Sequence, residues 1–249
     1  GEGALLKTRE EAEILSKWLV DIGAHFNVNV KTMITSMDEP LSTSIGNSLE
    51  GIDVENYNPE TDKDIFKNYS VEKMTGKATN KRELQKFFGL PEKKDTPVMG
   101  MVTRLVSHKG LDLCKAVLDE LLATTDIQLV VLGSGDTEYE DFFRGLASRY
   151  PEQVGLCLGF IPDLARKIYA GTDLFLMPSK SEPCGLSQMV ALRYGTIPIV
   201  RETGGLRDSV TDSGDNQGNG FVFSSYNAHD MLHAIKRAVE GYQDHKGWA

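Results

Sequence analysis

The sequence predicts an α/β protein built on a doubly wound parallel sheet, with a small α/β appendage in front of it. Two observations carry this prediction. From Val98 onward, short uncharged apolar runs alternate with stretches of helical periodicity, and the junctions from run to helix are rich in glycine and polar residues. Strands that are apolar throughout are buried on both faces, which happens when each parallel crossover lays a helix over the sheet.

Taken in order, Val98–Arg104 reads as the first strand and Leu111–Leu122 as an amphipathic helix. The run Ile127–Leu132 is a strand ending in Gly133-Ser134-Gly135, with a helix over Glu138–Arg149. The pair repeats as Val154–Phe160 with Leu164–Ala170, then as Asp173–Pro178 with Leu186–Tyr194. Thr196–Val200 is a further strand, and Gly220–Phe223 leads into the helix Ala228–Glu240. The front is different. Thr8 and Glu11 form a capping box that opens a helix running to about Ile22. Val28–Thr35 reads as one strand, and Pro40 starts a short helix at most. One helix and one strand cannot bury a core alone, so residues 1–50 are expected to dock on the larger domain or to be incomplete. Residues 51–97, with polar connectors at Asn56–Asp62 and Lys93–Pro97, read as a linker and lead-in to a domain over 98–249.

Composition excludes several function classes. Lys and Arg number 27 against 36 Asp and Glu, a net charge of −9, which argues against nucleic acid or an acidic membrane as partner. Three widely spaced cysteines, Cys114, Cys157 and Cys184, suit a reducing cytoplasm better than a disulfide framework or zinc ribbon. The apolar runs are too short to span a bilayer. The chain opens with Gly1 and has no signal-peptide layout, so it reads as a piece of something longer.

Ligands of open α/β sheets bind at the carboxyl edge, so the residues following each strand are the candidates for chemistry. After the first strand, Arg104 and Lys109 stand five positions apart on one loop, suited to neutralising a diphosphate. A solvated surface pair has the same appearance. After the fourth, Ser179-Lys180-Ser181-Glu182-Pro183-Cys184-Gly185-Leu186 sets Glu182 near a helix N-terminus, either to accept sugar hydroxyls or only to complement the helix dipole. Cys184 reads as a small filler rather than a nucleophile. After the fifth, Thr203-Gly204-Gly205-Leu206 could let backbone amides approach a phosphate, or could simply be a tight turn. His229 and His233 lie four apart on a predicted helix but lack a third ligand, and no metal site is expected.

Together and in this order, these strings resemble the C-terminal domain of bacterial glycogen and plant starch synthases over 51–249. The resemblance begins at Gly51-Ile52-Asp53-Val54-Glu55-Asn56-Tyr57-Asn58-Pro59-Glu60-Thr61-Asp62 and continues through Asn80-Lys81, Val102-Thr103-Arg104-Leu105 and Lys109-Gly110-Leu111-Asp112-Leu113. It then runs through Gly171–Ser179, Glu182-Pro183-Cys184-Gly185-Leu186, Arg193-Tyr194-Gly195-Thr196 and Thr203-Gly204-Gly205-Leu206. It implies the Rossmann-like, nucleotide-sugar-binding C-terminal half of a retaining GT-B glycosyltransferase that moves glucose from ADP-glucose to an α-1,4-glucan, with no further cofactor. By the same resemblance, Arg104 and Lys109 hold the donor diphosphate, and Glu182 contacts the donor glucose. Thr203, Gly204, Gly205 and Leu206 form the loop whose amides cap the distal phosphate, and Phe160 stacks on adenine where Tyr is frequent. Related transferases carry a second Glu where this chain has Val190, which leaves ribose recognition unassigned. The acceptor side belongs to an N-terminal domain absent from this sequence, so nucleotide binding is expected with little turnover.

Residues 1–50 are similar instead to an internal stretch of pyrimidine-nucleoside (thymidine) phosphorylases. The similar strings are Gly1-Glu2-Gly3-Ala4, Lys7-Thr8, Glu11-Ala12-Glu13, Ile22-Gly23, Met37-Asp38-Glu39-Pro40-Leu41 and Ile45-Gly46-Asn47-Ser48-Leu49-Glu50. This implies a chimera joined near Glu50–Gly51, with an appendage inert as a phosphorylase. A divergent synthase linker is the alternative for this stretch. For the whole chain the alternatives are a non-catalytic scaffold that binds nucleotide only, or a phosphorylase fragment.

Overall fold

The computed structural model describes residues 8–25, 52–215 and 217–244. The chain divides into two units, Gly1–Gly51 and Ile52–Ala249. In the first, helix α1 (Arg9–His25) begins directly after Thr8, as the capping signal predicts, and exposes Ile14, Trp18, Leu19 and Ile22. The expected strand Val28–Thr35 and the helix at Pro40 lie outside the described residues.

The second unit is a six-stranded parallel sheet ordered β3-β2-β1-β4-β5-β6. Its strands are β1 (Val98–Val102), β2 (Gln128–Gly133), β3 (Val154–Leu158), β4 (Leu174–Met177), β5 (Ile197–Arg201) and β6 (Phe221–Phe223). Between and around them run α2 (Thr75–Phe87), α3 (Leu111–Thr124), α4 (Thr137–Arg149), α5 (Pro162–Gly171), α6 (Ser187–Arg193), α7 (Gly204–Ser209) and α8 (Ala228–Asp244). Alternation along each strand feeds two cores, as a sheet covered on both faces requires. Met99, Met101, Leu129 and Val131 pack with residues of α3, α4 and α8. Val98, Val130, Leu132 and Phe175 face the other way, onto α2, α5 and α6.

Two strands end earlier than the apolar pattern suggests. β1 stops at Val102, so Arg104 lies in the loop, and β3 stops at Leu158, where Gly159 turns the chain with φ 150°. Both shifts free a candidate residue from the sheet.

Helix α2 falls within 51–97 and is a helix the hydrophobic pattern does not announce. Its buried positions are Gly76, Asn80, Lys81, Leu84 and Gln85, mostly polar, so the usual periodic signal is missing. Asn80 accepts from the amides of Phe66 and Lys67 at 2.9 and 3.2 Å, which ties the preceding loop to the helix. Lys81 Nζ lies 2.7 Å from Asp173 Oδ2 with both side chains buried, and it also donates to the Tyr242 hydroxyl at 2.7 Å. Asp173 in turn accepts from the amide of Val98 at 2.8 Å. One ion pair therefore joins α2, the start of β1, the start of β4 and α8. Removing one partner of such a buried pair leaves an uncompensated charge, which costs about 3–5 kcal/mol. Lys81→Ala is expected to lower the urea midpoint accordingly without changing the slope, and an unchanged midpoint would contradict this role.

At the other end of the sheet, Arg237 of α8 forks onto Asp212, Nη2 to Oδ2 at 2.6 Å and Nη1 to Oδ1 at 2.9 Å. The amide of Val222 adds a third bond at 2.7 Å. Hydrogen bonds from Arg237 hold the Asp212 carboxyl below the usual carboxylate range. Since the folded pKa lies below the unfolded one, this stabilisation is complete at neutral pH and disappears as the pH falls through the folded value. Asp212→Asn is expected to lower the melting temperature at pH 7 and to lose little further relative to wild type in acid. A constant gap between the two proteins at every pH would refute it.

Candidate functional site

The strand order reverses direction between β1 and β4, and the loops that leave their carboxyl ends diverge to opposite faces of the sheet. Such a break in winding opens a crevice at the sheet rim. A cavity of about 200 Å³ lies there, lined by Met101–Arg104, Lys109, Leu176–Ser179, Glu182 and Gly185–Ser187. A second, of about 360 Å³, shares Val102, Thr103, Arg104 and Ser187 with it. The second cavity extends past Gly133 and Ser134 to Phe160, Tyr57, Arg166 and Tyr169.

The two loops meet because one residue has no side chain. Gly110 follows a single 3-10 turn, Ser107–Lys109, with φ 75°, and a Cβ there would stand 2.0 Å from the Pro178 carbonyl oxygen. Only glycine tolerates both the backbone angle and the approach. The Lys180 amide then donates to His108 O at 2.9 Å, which pins the loops side by side. Lys109 Nζ consequently reaches Glu182 Oε2 at 2.6 Å, and the Ser179 hydroxyl donates to the same oxygen at 3.0 Å. The lysine and glutamate side chains are only 17% and 11% exposed. Arg104 is exposed at the cavity mouth and forms no ion pair among the described residues.

Glu182 is not in the first turn of a helix, since α6 starts at Ser187. Its charge is met by Lys109, so the dipole reading gives way to the ion pair. The turn at Thr203–Leu206 lines neither cavity directly. It supports the Glu182 loop from behind. Gly204 has φ 45°, and a Cβ on it would lie 2.1 Å from Glu182 O; one on Gly205 would lie 1.8 Å from Cys184 O. The Gly205 amide donates to Glu182 O and Pro183 O at 3.0 and 3.2 Å, and the Leu206 amide to Thr203 O at 3.1 Å. Leu206 is buried with Val200 and Val210. The immediate reason for the paired glycines is thus close backbone packing.

Phe160 stands 90% exposed on the wall of the larger cavity. Opposite it, the Arg166 guanidinium stacks on Tyr57 at 4.5 Å and pairs with the buried Asp62 at 3.0 Å. Arg166 also donates to the Asn56 backbone and side chain at 2.7 and 2.9 Å. The motif Asn56–Asp62 therefore folds onto α5 and completes the cavity. Tyr57 and Arg166 were not among the candidates read from the sequence, because their partners are remote along the chain; Ser179 was not, although Glu182 lies only three residues on, because a loop serine leaves no pattern of its own.

Cys114, His229 and His233 line neither cavity. Burial pushes the Cys114 thiol up to about 12, beyond use as a nucleophile at neutral pH. His229 and His233 are exposed on α8, and among the described residues no three His, Cys, Asp or Glu side chains gather as metal ligands. Val190, on the inner face of α6, is buried in the core. No described helix is long and apolar enough to cross a membrane.

A sequence profile described as "Glycosyl transferases group 1" matches residues 82–249. Curated relatives named glycogen synthase include one from Bacillus cereus (strain B4264), 56% identical over 202 residues, which make up 80% of this chain and 42% of that protein. Another, from Geobacillus thermodenitrificans (strain NG80-2), is 55% identical over 80% of this chain and 41% of its own length. Among solved structures, the catalytic domain of Starch Synthase IV from Arabidopsis thaliana, bound to ADP and acarbose, superposes with a TM-score of 0.75 at 38% identity. It covers 80% of this chain and 42% of that one. The sheet is that of the Rossmann-like C-terminal half of a GT-B glycosyltransferase. The chain belongs to the glycosyl transferases group 1 family. It spans less than half the length of the curated relatives it matches.

Proposed function

We propose that this chain binds the donor for a retaining glucosyltransferase that moves glucose from ADP-glucose to an α-1,4-glucan, as in glycogen or starch synthesis. The observation that carries the reading is the convergence of Arg104, Lys109 and Glu182 on one cavity at the break between β1 and β4. Adenine stacks on Phe160 in the larger cavity, and the diphosphate crosses the shared wall at Arg104 toward Lys109. Glucose then lies against Glu182. Gly204, the exposed residue of its turn, offers a backbone amide to the distal phosphate.

The chemistry follows from the charges. The bond from the anomeric carbon to the phosphate oxygen breaks with its electron pair on the departing diphosphate, and Arg104 and Lys109 neutralise that charge as it develops. The acceptor hydroxyl oxygen bonds to the same face of the carbon, and its proton passes to the leaving phosphate oxygen. Glu182 is the one carboxylate lining the smaller cavity among the described residues, and its Oε2 is already committed to Lys109 and Ser179. That favours front-face departure over a covalent intermediate on the protein. The chain spans 42% of the length of its glycogen synthase relatives, and we assign the acceptor glucan to the part of those proteins that it does not cover. A nucleotide-sugar donor and cysteines free of disulfides suit a cytoplasmic setting.

For residues 1–50 we keep the phosphorylase-like reading, supported by the run Gly46-Asn47-Ser48-Leu49-Glu50 and its spacing from Gly1-Glu2-Gly3. Phosphorolysis of thymidine or uridine is not expected from it.

Calorimetric titration with ADP tests the reading. The chain is expected to bind, and Lys109→Ala to weaken binding about 10- to 100-fold, the loss of one charge-assisted contact or more. Absent binding by the wild type, or equal binding by Lys109→Ala, would overturn it.

A further inference from the structure

Behind the ion pair of Lys109 and Glu182 lies a second layer of contacts that the family resemblance did not bring forward. Arg201 ends β5, and its guanidinium points back across the sheet rim. Its Nε donates to Ser179 O at 2.9 Å and its Nη2 to Lys180 O at 2.6 Å. These consecutive carbonyls belong to the turn whose Ser179 hydroxyl bonds Glu182. The planar fork of a guanidinium spans two acceptors at once, which a lysine ammonium on a flexible stem does not reproduce.

The guanidinium is itself held. The Tyr226 ring, on the loop after β6, lies 5.5 Å from the Arg201 guanidinium carbon and 5.6 Å from Lys180 Nζ. Its hydroxyl donates to Asp112 Oδ1, in the first turn of α3 and three residues beyond Lys109. Burial and the Asp112 carboxylate push the phenol above its ordinary value, so it stays protonated and keeps donating. The Lys180 amide closes the circuit on His108 O at 2.9 Å. Loops from β1, β4 and β6 are thus fastened to one arginine and one tyrosine.

We infer that Arg201 and Tyr226 are positioning residues, a brace that holds Lys109 and Glu182 at the spacing a diphosphate-linked sugar requires. The inference rests on the proposed function. Neither residue lines either cavity, so the brace acts through the loops it fastens and not by touching the ligand.

The test is calorimetry of the whole chain with ADP, inorganic pyrophosphate and adenosine, on wild type, Arg201→Met, Arg201→Lys and Tyr226→Phe. Arg201→Met is expected to weaken ADP and pyrophosphate about tenfold, the size of one charge-assisted hydrogen bond lost, and to leave adenosine unchanged. Arg201→Lys should recover little of this. Tyr226→Phe keeps the ring and loses only the bond to Asp112; it is expected to weaken ADP about threefold at an unchanged melting temperature. If Arg201→Met fails to fold, Tyr226→Phe alone decides. ADP binding untouched in the folded variants would overturn the brace, as would full recovery with lysine or a parallel loss of adenosine. A wild type that binds neither ADP nor pyrophosphate would sink the proposed function itself, which is a distinguishable result.

Discussion

The loops that leave β1 and β4 can share a cavity only if their backbones touch, and Gly110 against Pro178 is where they do. Right-handed crossovers stay on one face while the strand order runs one way and change face where it reverses, so at the break between β1 and β4 the two loops are naturally driven apart. A residue with no Cβ and a left-handed backbone angle reverses that tendency over a single turn. Once the contact exists, Lys109 falls within reach of Glu182, and the remaining features of the crevice follow from keeping it there. The paired glycines at 204 and 205 serve the same end from the far side, since they let the next loop lie flat against the residues around Glu182.

The electrostatics of the crevice are arranged as an exchange. Lys109 and Glu182 are mostly withdrawn from water, and each offsets the charge of the other at 2.6 Å. A diphosphate arriving at Arg104 gives Lys109 a second anionic partner, and the sugar gives Glu182 hydroxyl donors in place of part of the ammonium. Binding energy is then drawn from groups already desolvated, which makes such contacts stronger than their equivalents at an open surface. The large exposed ring of Phe160 fits the same picture, since its face has no intramolecular use and a purine would cover it.

How much of this could be read in the sequence depended on whether each contact left a local mark. The central strands were legible because both of their faces are apolar. Arg104, Lys109 and Glu182 were legible because topology assigns strand-to-helix loops to the carboxyl rim. Helix α2 was not, because it docks through Asn80, Lys81 and Gln85 and so carries no apolar stripe. Arg166, Arg201 and Tyr226 were not, because each acts on groups 20 to more than 100 residues away, as in Arg166 with Asn56 or Tyr226 with Asp112. The Gly204–Gly205 turn was found at its position, but its packing against Glu182 and Cys184 depends on a loop that only the folded chain brings near.

The most direct measurement is a crystal structure of this chain grown with ADP. The account predicts the diphosphate within hydrogen-bonding reach of both Arg104 and Lys109 above the β1–β4 break, with adenine against Phe160. A nucleotide bound at any other face, or one whose phosphates point away from Lys109, would contradict it.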